Sequence, residues 1–185
     1  MKENIYQVNG ESYMNDTGLI ASVVSKLTKE AGTMLPKEPE EIKKLLVQSA
    51  TVVVWDGLRE IVPVGFGAVT FDWPGEWKEL GAVVVDKNHR QKGIGHMVVG
   101  NLIKAAKYKY PYSNLFALCN EKSIKLFLDH GAEIITEPGI LPAEVFGECV
   151  SCPKFQETKS QGKLCCDIPV LISKAQKIEP LGFHR

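Results

Sequence analysis

The sequence predicts a mixed α/β domain, and three observations predict it. Apolar runs of strand length alternate with amphipathic stretches of helix length. Turn signals at Asp56-Gly57 and Trp73-Pro74-Gly75 mark early hairpins. After them comes a strand–helix–strand pattern over residues 78–119. Hairpins give antiparallel neighbours, whereas a strand–helix–strand unit gives parallel strands joined by a right-handed crossover. The expected sheet is therefore mixed, with helices on its faces. One domain, 1–185, is expected, carrying a cysteine-bearing loop or insertion at about 146–167.

Each element has its own reason. Residues 4–8 suit a short first strand. Asp16 or Thr17 can cap a helix running through Lys29, because Leu19, Ile20, Val23, Val24 and Leu27 share a face, and Gly32 closes it. Pro39 fits a first helical position. Glu40 and Glu41 follow in the first turn, where the helix dipole favours carboxylates, and Ile42, Leu45 and Leu46 form the apolar stripe. Residues 51–55 read as a strand and 61–71 as its return, with Pro63 confined to an edge or a strand start. The remaining expectations are strands at 78–85, 114–119, 133–136 and 168–172, and helices at 94–109 and 121–130.

Charge and composition exclude some functions. The 22 basic and 22 acidic side chains cancel, which argues against a broad nucleic-acid or membrane footprint. No apolar run reaches the length of a membrane span, and Met1-Lys2-Glu3-Asn4 lacks the apolar core of a secretion signal. A cytoplasmic location is expected. The five cysteines then read as thiols or metal ligands rather than disulfides.

The segment Arg90-Gln91-Lys92-Gly93-Ile94-Gly95 carries the most chemistry. It joins the apolar run 80–85 to the amphipathic run 94–109. The first N–H groups of a helix lack intrahelical acceptors and carry partial positive charge, and glycines let a phosphate approach them. The segment reads as a cradle for a phosphorylated ligand. A P-loop string is absent, and a dinucleotide fingerprint would need a third glycine and a later acidic residue.

The pattern Arg-x-x-Gly-x-Gly after a Val-rich strand resembles the acetyl-CoA loop of the GCN5-related N-acetyltransferases, the GNAT family. Residues 115–118 and Asn120 to Ala132 resemble that family's second signature: a strand, an Asn, a short helix and a closing Gly. The resemblance implies a mostly antiparallel mixed sheet in which two parallel strands splay apart, with helices on both faces. It implies that acetyl-CoA lies in the gap. Its pyrophosphate would rest on the N–H groups of Gln91, Lys92, Gly93, Ile94, Gly95 and His96, with charge from Arg90 and Lys92. Its pantetheine arm would pair with the main chain of the strand Val83, Val84, Val85, and an N–H near Val85 would face the thioester oxygen. Asn120, Ser123 and Phe127 complete the implied cofactor contacts. Asn120 also reads as a helix cap, and Phe127 as a core residue standing where many relatives have a Tyr acid.

Acyl transfer to an amine needs a base for the ammonium proton. Glu79, on the strand leading to the loop, is the candidate, with Glu76 as its neighbour; an ordinary strand-end carboxylate is the plain alternative. Cys119 is preferred as a buried thiol over an acyl carrier, since no His is placed beside it. Cys149, Cys152, Cys165 and Cys166 have one zinc-like pair and one adjacent pair, so metal is not the preferred reading of them. With Leu141-Pro142, Cys152-Pro153 and Cys166-Asp167, this stretch resembles short N-acetylglutamate synthase-like members of the GNAT group.

The expected function is N-acetyl transfer from acetyl-CoA to a primary amine of a small molecule, an amino acid among the candidates, by direct attack in a ternary complex. The alternatives are an acyl-CoA-sensing module without turnover and a zinc-stabilised interaction domain. No nucleic-acid or membrane partner is expected, and homodimerisation is left open.

Overall fold

The structure, a computed structural model, describes residues 5–6, 17–32, 34–56, 62–137, 139–145, 147 and 168–174. In chain order the elements are β1 (Ile5–Tyr6), α1 (Thr17–Ala31), α2 (Pro39–Gln48), β2 (Thr51–Asp56), β3 (Val62–Trp73), β4 (Trp77–Val85), α3 (Ile94–Lys109), β5 (Asn114–Cys119), α4 (Ile124–Leu128), β6 (Glu133–Ile134) and β7 (Ile168–Ser173). The strands form one sheet in the order β1-β2-β3-β4-β5-β7-β6. Among the described strands only β4 and β5 are parallel, and the other neighbouring pairs are antiparallel.

Alternation along the strands builds two cores. On β2, Val52 and Val54 join Val98, Leu102 and Phe127 on one face, while Val53 and Trp55 join Ile20, Val24, Ile42 and Leu46 on the other. α3 and α4 thus cover one face and α1 and α2 the opposite one. Each fully buried Leu or Ile contributes about 2 kcal/mol by transfer from water. A Cβ at Gly67 would lie 2.7 Å from Val98 Cγ1, and one at Gly65 2.9 Å from Ile94 Cγ2. These two bare positions on β3 let the first turns of α3 lie directly on the sheet, which fixes where that helix begins.

Several expectations hold in detail. α3, β5 and the buried stripe Ile42, Leu45, Leu46 of α2 fall where the sequence put them. Glu41 Oε2 accepts the Glu38 N–H at 2.8 Å, so Pro39 follows a closed N-terminal box. Gly32 takes φ +60° after α1. Pro63 lies one residue into β3, opposite Trp55 at a register shift.

Others are corrected. Leu19 is 58% exposed; the inward face of α1 instead carries Ile20, Ala21, Val24, Ser25, Leu27 and Thr28. That face is set by Thr28, whose Oγ1 donates to Ser25 O and accepts the Lys37 N–H. β3 continues to Trp73 because the hairpin closes later, with Trp73 opposite Trp77. The helix expected from residue 121 begins at Ile124, since Asn120 Oδ1 takes the Lys122 and Ser123 N–H groups and holds a turn there. The strand expected at 133–136 is Glu133–Ile134, extended by one Ile135 N–H bond to Pro169 O.

The Asp16 cap, the turn at Gly57 and the cysteines Cys149, Cys152, Cys165 and Cys166 lie outside the described residues. Among the described residues no helix is long and apolar enough to cross a membrane, and no group of three or more His, Cys, Asp or Glu could hold a metal ion.

Candidate active site

β4 and β5 pair for only three rungs, Trp77↔Asn114, Lys78↔Leu115 and Glu79↔Phe116. Beyond them β4 keeps its bonds to β3 up to Val85, and β5 keeps its pairing to β7 up to Cys119. The two strands therefore part at Glu79, and among the described residues their facing edges beyond it are not paired with each other.

The β4 edge is shaped by a bulge. Leu80 and Val83 pack toward α3, whereas Ala82 and Val84 pack toward α1 and α2. Strict alternation would put Leu80, Ala82 and Val84 on one face. The break coincides with a register shift between Phe66 and Ala68 on β3 and with Ala82 at φ +50°. A left-handed alanine costs about 1 kcal/mol or more, and strain of this kind gathers at functional sites. Past the bulge, Asp86 N donates to Val64 O at 2.8 Å. By alternation Val84 also bonds toward β3, and Val83 and Val85 turn their main-chain groups to the gap. Arg90 Nε reaches Val85 O from that side at 3.2 Å.

The loop after β4 leads to the mouth of α3. Asp86 Oδ1 accepts the Asn88 N–H at 2.8 Å and lies 3.0 Å from His89 Nδ1. Burial raises the Asp86 carboxyl, but the His89 and Asn88 hydrogen bonds and the charges of His89 and Lys87 outweigh it, so the group sits below the usual carboxylate range. Gln91 and Gly93 take φ +62° and +82°, a left-handed pair that turns the chain into the helix. Met97 N bonds Gly93 O, so the first intrahelical bond begins there, and the N–H groups of Ile94, Gly95 and His96 precede it. The first turn carries no acidic residue and no side-chain cap, so its own sequence supplies no anion to the positive end of the dipole. Arg90, Gln91, Lys92 and Gly93 are exposed there, while Ile94 is buried in the core. A Cβ on Gly95 would touch Leu126 at 3.3 Å, so this glycine serves the packing of α4 against α3.

At the vertex of the gap, Glu79 Oε2 accepts the Trp73 indole N–H at 3.2 Å. Asn120 is the turn-former at the end of β5, and Ser123 Oγ accepts its N–H at 3.0 Å. Asn120 Nδ2 has no protein partner among the described residues. Phe127 is 3% exposed within the α3-side core, as the packing reading has it. Cys119 is fully buried, and burial pushes its thiol up to about 11 despite a Ser123 hydrogen bond. It is not a nucleophile at neutral pH.

The profile described as Acetyltransferase (GNAT) family matches residues 22–132. The chain belongs to the GNAT acetyltransferase family. Among curated proteins none matches the sequence. Many solved structures share its fold. One is Rv2747 from Mycobacterium tuberculosis in complex with CoA and NLQ, 24% identical, covering 94% of this chain and 99% of that one at a TM-score of 0.59. Another is N-acetylglutamate synthase from Neisseria gonorrhoeae with coenzyme A and N-acetyl-glutamate, 18% identical, covering 96% of this chain but 36% of that one, TM-score 0.59. A third is diaminobutyrate acetyltransferase from Paenibacillus lautus with L-2,4-diaminobutyric acid and coenzyme A, 16% identical, covering 72% and 81%, TM-score 0.54.

Two features of this GNAT site escaped the sequence. The bulge at Ala82 lies in an unbroken apolar run, where period-two alternation has no polar residues to report a shift. The Trp73–Glu79 bond joins residues six apart across a hairpin whose turn position decides the pairing. The two tryptophans flanking Pro74-Gly75 were the available signal for that longer hairpin.

Proposed function

We propose that this GNAT protein transfers an acetyl group from acetyl-CoA to a primary amine of a small molecule, by direct attack within a ternary complex. The observation that carries the reading is the loss of pairing between β4 and β5 after Glu79, together with the uncapped start of α3 that follows β4. The N–H groups at residues 91–96 bind the pyrophosphate, and Arg90 and Lys92 add charge. The main chain of Val83 and Val85, on the strand Val83, Val84, Val85, pairs with the pantetheine amides, and the Val85 region supplies the oxyanion contact. Asn120 Nδ2 donates to the pantetheine arm while its oxygen holds the turn. Bound acetyl-CoA supplies the thioester whose carbonyl the amine attacks and whose thiolate departs. Glu79 takes the ammonium proton through water, and the Trp73 bond fixes its orientation. Phe127 leaves the thiolate without a phenol acid; a thiol of reference pKa about 8.5 departs without one.

The test is release of free thiol from acetyl-CoA across amino acids and polyamines. Turnover with at least one amine supports the reading. Acetyl-CoA binding with no thiol release from any amine identifies a sensing module instead.

A further inference from the structure

Lys37 is 8% exposed, unusually little for a lysine. Its backbone is pinned between the helices: Thr28 Oγ1 accepts the Lys37 N–H at 3.1 Å. The side chain lies over the Phe71 ring, 5.5 Å from its centroid. Its nearest carboxylate is Glu41 Oε1 at 3.7 Å, beyond hydrogen-bond range. The other Glu41 oxygen is already used by the Glu38 N–H. The ammonium has three donors and no hydrogen-bonded acceptor among the described residues, so those donors are available to a ligand.

That group lines a cavity of about 440 Å³, with Glu41, Lys44, Phe71, Asp72 and Tyr110 among its walls. The volume suits a ligand of amino-acid size. Asp72 is spent on Lys78 at 2.9 Å. Phe71 joins the cavity to the vertex of the gap, because it is the register partner of Glu79 on β4. Its ring also packs on Trp73 at 5.5 Å between centroids, and Trp73 donates to Glu79. Cross-strand partners share a face, so Glu79 lies on the same sheet face as Phe71, over whose ring Lys37 sits.

We infer that Lys37 binds the carboxylate of the acceptor, which makes the acceptor an amine that also carries a carboxylate, an amino acid. This rests on the proposed acetyl transfer. The ammonium holds the acceptor carboxylate while the amine faces Glu79. A bare amine forgoes the charge-assisted bond to Lys37 that a carboxylate makes, and so is discriminated against.

The test compares matched acceptors with the wild-type protein: ornithine with putrescine, lysine with cadaverine, phenylalanine with phenethylamine, and glutamate with its dimethyl ester. The member with more carboxylates is expected to have at least a tenfold higher kcat/KM in the pair that turns over best. Lys37→Met, which keeps the stem over Phe71, should raise that acceptor's KM about tenfold or more and leave the acetyl-CoA KM and the decarboxylated amine unchanged; Lys37→Arg should recover part of the loss. Should the methionine variant fail to fold, Glu41→Gln serves. It removes the competing charge, can keep the bond to Glu38 and should lower the amino-acid KM. Equal use of both members of every pair, an equal loss for both in Lys37→Met, or a raised KM in Glu41→Gln overturns the assignment while acetyl transfer stands. No thiol release from wild-type protein with any amine removes acetyl transfer and this inference together.

Discussion

Glu79 and Phe116 form the last rung of the parallel ladder between β4 and β5. Beyond that rung the two strands no longer pair with each other, and before it they are ordinary sheet. Glu79 is thus held by β3, by β5 and by the Trp73 indole at the one place where the sheet divides.

From that position Glu79→Gln should lower kcat by tenfold or more and leave acetyl-CoA affinity within about twofold. General-base contributions are typically 10²–10⁴ in rate, and water retains part of the role. A glutamine oxygen can still accept from Trp73, so the fold is kept. Steady-state kinetics with a binding titration checks this, and unchanged turnover between pH 6 and 9 removes Glu79 as the base.

Ala82 makes a second case. Its φ of +50° is poorly tolerated by a branched side chain. Ala82→Val should destabilise the protein by about 2 kcal/mol or more. Ala82→Gly should stay within about 1 kcal/mol of wild type, because relief of strain offsets the buried methyl that is lost. Urea unfolding of both variants measures the difference; a valine tolerated without loss would contradict the bulge.

Asp86 predicts a pH dependence. Its folded carboxyl lies below the ordinary value of about 3.9. The stability it contributes is therefore complete above that value and is lost as pH falls below about 4 through the folded value. Asp86→Ala should cost about 1 kcal/mol at pH 7, as loss of a turn-capping acceptor does, and the gap to wild type should narrow toward pH 3. Denaturant curves at the two pH values decide it, a constant gap being the contrary result.

Much of the fold was legible because its signals are local. The bounds of α3 follow from Gly93 and the amphipathic run after it, and α2 from Pro39 and the two glutamates. Other features depend on what lies across space. Leu19 looked like a core residue until Thr28 and Lys37 fixed the rotation of α1. Residues 121–123 are apt for a helix, yet Asn120 spends its oxygen on a turn. At the candidate site the loop glycines and Glu79 were visible, since type and spacing carry them. Lys37 was not: a charged residue just before a proline-led helix gives no hint of burial until α1 and Phe71 close around it.

The central claim is that the main chain at the start of α3 grips the diphosphate of acetyl-CoA. Its most direct test is calorimetric titration of acetyl-CoA into wild type, Gly93→Asn and Gly93→Asp. Both variants share the strain of a side chain at φ +82°, and open space surrounds that position, so their difference isolates charge. A carboxylate near a diphosphate opposes it by about 1 to 2 kcal/mol even in water-like surroundings, while it favours a helix N-terminus. The account predicts that Gly93→Asp binds at least tenfold more weakly than Gly93→Asn, at equal or higher thermal stability. Equal affinity of the two variants, or no acetyl-CoA binding by wild type, would contradict it.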